Sequence, residues 1–237
     1  MRIFTLLFAS LISIHAGAME DPTKGKPFLP WLWREQFRPT IVNAISKEQL
    51  AILGVGLAST AAAHQYDSPV RENFGSSQGL GERARIGSVL GSGAPGIGIA
   101  LIQLAFDQKN GLAHGRALAL TSMTAFSTAL IVQRDRPNHV NRLSYPSGHT
   151  SSSFATATSL AYAYGPLVGV PAFALASFVG ASRISDDAHW LSDTVLGATL
   201  GIFWARASRL VFEESPSTRW MPVLMDGGVL LVYKRGF

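Results

Sequence analysis

The sequence predicts an all-α fold, an up-and-down bundle of six helices followed by a short C-terminal β-hairpin. Hydrophobic residues make up 47% of the 237 residues and charged residues only 15%, whereas soluble domains usually carry about 25% charged residues. Six apolar segments have the length of helices, and breaks rich in Gly, Pro, Asn and Asp separate them. No internal repeat is visible, so the pattern indicates one helical domain.

The first 18 residues are predicted to be an export signal. Residues 1–2 provide a positive start, residues 3–14 are apolar, and residues 16–18 (AGA) have the small-x-small form of a cleavage site. The apolar run is shorter than the ~20 residues of a membrane span. An uncleaved anchor and a buried helix are the alternatives. We expect the signal to be cleaved and the mature chain to begin near Met19. The protein would then act outside the cytoplasm.

The helical bundle is predicted to occupy residues 47–210, after a proline-containing lead segment at 19–46. Its segments are rich in Ala, Gly, Ser and Thr, which let helix backbones approach closely in membrane bundles and also occur in tightly packed soluble bundles. The six predicted helices are Lys47–His64, Ile86–Phe106, Arg116–Gln133, Gly148–Tyr164, Leu167–Ser182 and Trp190–Ala207.

The tail at residues 211–237 differs from the bundle. Two short β-prone runs, at 220–224 and 229–233, flank Asp226-Gly227-Gly228. A turn sequence between such runs predicts a β-hairpin. One hairpin cannot close a barrel, so we interpret it as a structural flap.

Residues 91–96 (GSGAPG) match the dinucleotide-binding pattern G-x-G-x-x-G. That fingerprint requires a preceding strand and a βαβ unit, whereas here the pattern lies within an apolar helical run that contains Pro95. We therefore predict close helix packing or a kink at this point and no dinucleotide site.

Charge and cysteine content exclude several classes of protein. The formal net charge is +5, but the Lys and Arg residues are scattered and form no basic stripe, which argues against a nucleic-acid partner. The sequence contains no Cys, which excludes disulfides, a thiolate nucleophile and Cys-ligated metals. It also lacks an H-E-x-x-H motif and an Asp-rich ligand loop, so we expect neither a metal nor another cofactor.

The chemically informative residues form three blocks at helix ends. In an up-and-down bundle, the end of the third helix, the start of the fourth, the end of the fifth and the start of the sixth lie on one side. Each block alone has an ordinary structural explanation, such as a helix cap or an i, i+4 pair, but topology brings all three together. The blocks are residues 134–137 (RDRP), residues 145–149 (YPSGH), and Ser182-Arg183 with His189 and Asp193.

The residues of these blocks suit phosphoryl transfer. Guanidinium groups bind phosphate oxygens in bidentate fashion, and the helix N-terminus after Ser147-Gly148 can bind an anion. Two histidines can supply a nucleophile and an acid/base near neutral pH. Asp193, one turn beyond His189, can hold the ring of His189 in the required tautomer. The residues alone do not determine which histidine attacks.

These blocks resemble the motifs of the type 2 phosphatidic acid phosphatase superfamily, Lys-x6-Arg-Pro, Pro-Ser-Gly-His and Ser-Arg-x5-His-x3-Asp. The second motif is complete at residues 146–149, and the third is complete from Ser182 to Asp193. The first is partial, because Arg136-Pro137 fits while Ala129 stands at the Lys position. The resemblance covers about residues 45–210 and implies the six-helix fold shared with vanadium haloperoxidases.

The resemblance also implies a two-step hydrolysis and assigns the residues. His189 attacks phosphorus and Asp193 orients it, while His149 protonates the leaving alcohol and then helps to activate water. The phosphate-binding groups implied in this way are Arg136, Arg183, Ser147, Gly148 and, within the third motif, Ser182. Because Ala129 removes one cation, we expect Arg134 to supply the missing charge.

The predicted function is therefore hydrolysis of a lipid phosphate monoester or diphosphate by an enzyme of the cell envelope, with membrane association and a periplasm-facing site. The charge-poor segments favour a membrane-associated lipid phosphatase over the first alternative, which is a soluble periplasmic acid phosphatase acting on small phosphomonoesters. A catalytically impaired protein that binds lipids or anions is the second alternative. The partner is a phosphorylated lipid or a small phosphomonoester.

Overall fold

The computed structural model describes residues 23–75, 79–212, 219–225 and 228–234. The predicted export signal at residues 1–18 lies outside the described residues. The architecture is mostly helical, in agreement with the predicted all-α class. The order of its helices brings motifs that are far apart in the sequence to one end of the bundle.

The N-terminal half begins with α1 (Phe28–Trp31), a π-helical turn (Leu32–Phe37), α2 (Arg38–Ala44), α3 (Lys47–His64) and α4 (Asp67–Phe74). A 3-10 turn (Gly81–Arg83) leads into α5 (Ala84–Gly91), α6 (Ala94–Phe106), α7 (Gln108–Val132), α8 (Gly148–Tyr164), α9 (Pro166–Ser185) and α10 (Leu191–Leu210). Strands β1 (Arg219–Met225) and β2 (Gly228–Lys234) follow and pair antiparallel, with Arg219 opposite Lys234. Eight of the described α-helices have eight or more residues, so the prediction of six was too low.

The predicted second helix, Ile86–Phe106, is in fact α5 and α6 separated by a break. Gly93 has φ +86° there, a left-handed conformation that Gly adopts without steric cost. Proline lies in the first turn of α6, where it needs no backbone hydrogen bond. A Cβ on Gly91 would lie 2.6 Å from Val179, and one on Gly96 would lie 2.5 Å from Thr156. The predicted kink and close packing at residues 91–96 are both confirmed.

Two further boundaries differ from the prediction. The Asp67-Ser68-Pro69 segment, which lies between the first two predicted helices, is the first turn of α4, where proline is tolerated. Helix α7 begins at Gln108 and not at Arg116, because Asp107 caps it by accepting from the Asn110 N–H at 3.4 Å. Gly111 lies inside α7 and packs closely against α6, because a Cβ there would lie 2.4 Å from the Leu104 nitrogen.

Helices α8 and α10 form the centre of the bundle. Helix α10 packs against α8, α7 and α3, while α8 also packs against α9 and α7. The contact between α8 and α10 depends on glycine: a Cβ on Gly197 would lie 2.7 Å from the Ser147 carbonyl oxygen, and one on Gly201 would lie 2.4 Å from that of Ser151. This close approach fixes the start of α8 against the first turns of α10.

Three stretches of the described chain are long and apolar enough to cross a membrane: Gly81–Phe106, Gln108–Val132 and Pro166–Ser185. A fourth candidate consists of Phe28–Ala44 and Lys47–His64, which meet at a bend of 63°. Large apolar side chains on these stretches face outward, for example Ile131 with 82% and Leu167 with 90% of its surface exposed.

Candidate active site

The three predicted blocks meet at the end of the bundle where α7 and α9 end and α8 and α10 begin. The Ser147 N–H donates to the Asp193 carbonyl oxygen at 3.0 Å, which joins the second block to the third. Arg136 Nη1 donates to the Ala188 carbonyl oxygen at 3.1 Å, which joins the first block to the third. The predicted convergence is therefore confirmed.

His189 is buried, with 2% of its surface exposed, and its ring is held by backbone. Its Nδ1 lies 2.6 Å from the Ser144 carbonyl oxygen. Because a carbonyl oxygen only accepts, Nδ1 carries the proton and Nε2 keeps its lone pair. The predicted direct contact with Asp193 needs correction, since Nδ1 and Asp193 Oδ2 are 3.7 Å apart, beyond hydrogen-bond distance.

Asp193 acts on His189 through Ser144 instead. Its carboxylate is fully buried, and Oδ2 accepts from the Ser144 hydroxyl and from the Trp190 N–H at 2.8 Å. Ser144 thus donates its hydroxyl to Asp193 and accepts from His189 with its carbonyl oxygen. Ser144 lies outside all three motifs, and sequence reasoning missed it.

Arg134, which was predicted to replace the cation missing at Ala129, is paired with acidic side chains. Its Nη1 donates to Asp193 Oδ1 at 2.7 Å, and its Nη2 donates to Asp67 Oδ2 at 2.7 Å. The guanidinium carbon also lies 5.3 Å from the centre of the Trp190 ring. Two carboxylates and an aromatic face thus surround the guanidinium, and the binding of phosphate by Arg134 stays a prediction. Ala129 itself is buried near the end of α7.

Arg136 and Arg183 differ in their surroundings. Arg136 donates to three neutral oxygens, of Asn141, Ala188 and Leu143. Burial lowers its pKa, Asp193 opposes this effect and the charge of Arg183 adds to it. Arg183 is buried and donates through Nη2 to Asp186 Oδ2 at 2.7 Å. Of these two arginines, Arg183 is paired with a carboxylate, whereas the described partners of Arg136 are all neutral, so Arg136 can bind an anion without breaking an ion pair.

His149 lies on the first turn of α8, against α5. A Cβ on Gly91 would lie 2.9 Å from the His149 Cβ, so only glycine permits this contact. Burial, together with the charges of Arg183, His189 and Arg136, lowers the pKa of His149 to about 4. Burial also lowers the pKa of His189, although Asp193 and the Ser144 carbonyl oppose the effect. Both rings are thus neutral at neutral pH.

The remaining predicted phosphate ligands surround the start of α8 and the end of α9. Ser147 is buried, and its hydroxyl caps α8 by accepting from the Thr150 N–H at 3.4 Å. Gly148 is exposed, and a Cβ on it would meet no atom within 4 Å. The Ser182 hydroxyl donates to the Val179 carbonyl oxygen at 2.7 Å and accepts from Arg183 Nε at 3.1 Å. Ser182 therefore supports Arg183.

Another histidine, His114, lies outside the three blocks. It is fully buried in α7, where its Nδ1 lies 2.7 Å from Gln103 Oε1 and its Nε2 lies 3.1 Å from Thr156 Oγ1. In the part of the chain that the structure describes, no group of three His, Asp or Glu side chains could hold a metal ion.

The comparison with known families agrees with this geometry. Residues 110–216 match the family model of the PAP2 superfamily. The match covers less than half of the chain, and over these residues the chain is similar to the PAP2 superfamily. The PAP2 match contains the three motif blocks and Ser144, whereas Asp67 lies outside it. The resemblance inferred from the motifs is thereby confirmed.

Two relatives are similar to part of the chain. A lipid A 1-phosphatase of Porphyromonas gingivalis is 46% identical over 90 residues, which cover 34% of this chain and 20% of that protein. A crystal structure of Aquifex aeolicus LpxE covers 53% of this chain and 82% of its own chain, with 23% identity and a TM-score of 0.45. The chain thus spans only about a fifth of the length of the curated relative.

Proposed function

We propose that this protein is a metal-independent phosphatase that hydrolyses a lipid phosphate monoester or diphosphate outside the cytoplasm through a phosphohistidine intermediate. The observation that carries the proposal is the orientation of His189. Its Nδ1 proton is held by the Ser144 carbonyl oxygen, and its Nε2 lone pair remains for attack.

In the first step, His189 Nε2 attacks phosphorus and the bond between phosphorus and the alcohol oxygen breaks. Positive charge develops on the imidazole, and the carbonyl oxygen of Ser144 and the nearby Asp193 carboxylate stabilise it. The leaving alcohol takes its proton from His149. Because burial and neighbouring cations keep this ring neutral in the free protein, the bound phosphate must bring the proton or favour protonation of His149.

The equatorial oxygens of the phosphoryl group carry the negative charge of the transition state. Arg136 and Arg183 supply two guanidinium groups for these oxygens, and backbone N–H groups of the first turn of α8 add hydrogen-bond donors at Gly148. In the second step, water attacks phosphorus, His149 accepts a proton from it, and the bond to Nε2 breaks. Phosphate leaves, and His189 returns to its starting state.

The exposed apolar surface supports a lipid substrate and membrane association. Contiguous exposed apolar patches on proteins mark partner or membrane contacts, and three stretches of the described chain are long and apolar enough to cross a bilayer. A lipid phosphate would place its charged group at the end of the bundle where the arginines lie. The partial match to a lipid A 1-phosphatase supports the same class of substrate.

The test is a substrate panel with the full chain in detergent micelles. Inorganic phosphate release is measured from lipid A, phosphatidic acid, a polyprenyl diphosphate and p-nitrophenyl phosphate, with and without EDTA, and the His189→Ala variant is the matched control. We expect one lipid phosphate to give the highest kcat/KM, no loss of activity with EDTA, and inhibition by vanadate.

Other results would contradict the proposal in different ways. A loss of activity on chelation that a divalent ion restores would refute the metal-independent reaction. Efficient hydrolysis of p-nitrophenyl phosphate without any lipid hydrolysis would instead support a soluble-type acid phosphatase. No phosphate release from any substrate would indicate a binding protein.

A further inference from the structure

A buried carboxylate on α4 lies outside the three motifs and outside residues 110–216. Asp67 has 4% of its surface exposed, and both carboxylate oxygens are occupied. Oδ1 accepts from the Ser192 N–H at 2.9 Å. Oδ2 accepts from the Ser192 hydroxyl at 2.8 Å and from Arg134 Nη2 at 2.7 Å, and it lies 2.8 Å from His64 Nδ1. Burying a charge costs free energy unless the charge is paired, so the extensive pairing of Asp67 indicates a specific role for this carboxylate.

Arg134 connects Asp67 to the catalytic end of the bundle. Its two terminal nitrogens donate to different carboxylates, Nη2 to Asp67 and Nη1 to Asp193, each at 2.7 Å. Nη1 also donates to the Ser192 hydroxyl at 2.7 Å. Ser192 therefore contacts both Asp67 and Arg134, and the three side chains form a closed ring of hydrogen bonds. Two carboxylates and one guanidinium carry a total charge of −1.

The contacts continue from Asp193 to His189. The carboxylate of Asp193 receives Arg134 on Oδ1 and the Ser144 hydroxyl on Oδ2, and the Ser144 carbonyl oxygen accepts from His189 Nδ1. Charge is the more direct link. Without Asp67, Arg134 and Asp193 together would carry no net charge, and they would stabilise a positive imidazole less.

We propose that Asp67 is a positioning residue for the reaction of His189, which acts by holding and neutralising Arg134 so that Asp193 retains its negative charge toward the imidazole. This inference rests on the proposed function. Burial opposes ionisation of Asp67, but hydrogen bonds from Arg134, Ser192 and His64 outweigh it and lower the pKa of the carboxyl. Asp67 is therefore ionised at neutral pH.

The charged and titratable groups around His189 define how pH reports on this arrangement. The charges of Asp193 on α10 and of Arg136 in the loop after α7 act on its ring, and the ring in turn acts on His149 of α8. Arg134 and His64 are the titratable groups that contact Asp67. Removing the negative charge of Asp67 disfavours the imidazolium, so the acidic limb of kcat/KM moves to lower pH. Removing the positive charge of Arg134 favours the imidazolium and moves the limb to higher pH.

The experiment compares Asp67→Asn, Arg134→Gln and the double variant with the wild type. The matched control is Glu72→Gln, because Glu72 is an exposed carboxylate on the same helix as Asp67 and lies outside the three blocks. We expect kcat of Asp67→Asn to fall about tenfold or more, with KM and the Ki of inorganic phosphate within about twofold of the wild type, since Asp67 does not touch the phosphate site. Glu72→Gln should match the wild type.

The pH profiles and the double variant decide the result. We expect the acidic limb to shift in opposite directions in the two single variants, and the double variant to be no slower than Arg134→Gln. Thermal unfolding and the phosphate Ki show that each variant is folded. Equal activity of Asp67→Asn and Glu72→Gln, or a fall in kcat without a shift of the limb, would overturn the inference while the proposed function stands. A wild type that hydrolyses no substrate would overturn both.

Discussion

At the scale of single residues, burial determines the charge of the two histidines. Removing an imidazole from water penalises its protonated form, so the pKa of His149 falls to about 4 and that of the more deeply buried His189 falls as well. His189, the proposed nucleophile, is therefore unprotonated at pH values where an exposed histidine would be charged.

This burial predicts where activity declines in acid. A pKa lowered in the folded protein means that protonation of His189 requires a pH below the ordinary 6.5. We expect the acidic limb of kcat/KM, measured with p-nitrophenyl phosphate in buffers of constant ionic strength, to lie clearly below pH 6.5. A limb at or above pH 6.5 would show that the ring is not desolvated in the working protein.

His149 gives a second prediction, based on the leaving group. An alcohol of high pKa needs a proton as it departs, whereas p-nitrophenolate leaves with little help. His149→Ala should therefore slow the hydrolysis of a lipid phosphate much more than that of p-nitrophenyl phosphate, as measured by kcat for both substrates. Equal slowing of the two would remove His149 from the role of general acid.

At the scale of elements, the site depends on how closely α8 and α10 pack. Gly197→Ala would place a Cβ 2.7 Å from the Ser147 carbonyl oxygen, which is backbone and cannot rotate away. We expect a loss of about 1–3 kcal/mol in the free energy of unfolding, together with a lower kcat because the start of α8 moves. Thermal unfolding and initial rates measure both effects.

The matched control for this packing is Gly98→Ala on α6. A Cβ on Gly98 would meet no atom within 4 Å, and alanine is the better helix former by about 1 kcal/mol. This variant should keep full activity and unfold at the same or a higher temperature. If Gly197→Ala behaves in the same way, the close contact between α8 and α10 does not position the site.

The elements also show what the sequence could and could not predict. Apolar runs with clear caps gave the boundaries of Lys47–His64 and Gly148–Tyr164 as the structure has them. Helix α4 could not be predicted, because only Val70 and Phe74 of its eight residues are large and apolar, too few to produce a periodic pattern. Arg134 was assigned to phosphate because Ala129 lacks a cation, and its pairing with Asp67, 67 residues away, could not be read from the sequence. Contacts between distant residues leave no local signal.

At the scale of the whole molecule, an apolar surface surrounds a polar site placed at one end. Outward-facing side chains such as Ile131 and Leu167 lie on stretches that can cross a bilayer. We therefore expect the expressed chain to remain in the membrane pellet after an alkaline carbonate wash and to need detergent for extraction. Recovery in the supernatant would contradict membrane association and favour a soluble protein.

The central claim is that His189 carries the phosphoryl group during turnover. Rapid-quench labelling with ³²P-labelled p-nitrophenyl phosphate tests it, because this substrate reacts without much help from the acid. We expect acid-labile, base-stable label in the wild type, label that persists in His149→Ala because water is activated poorly, and no label in His189→Ala. Label retained in His189→Ala and lost in His149→Ala would contradict the account.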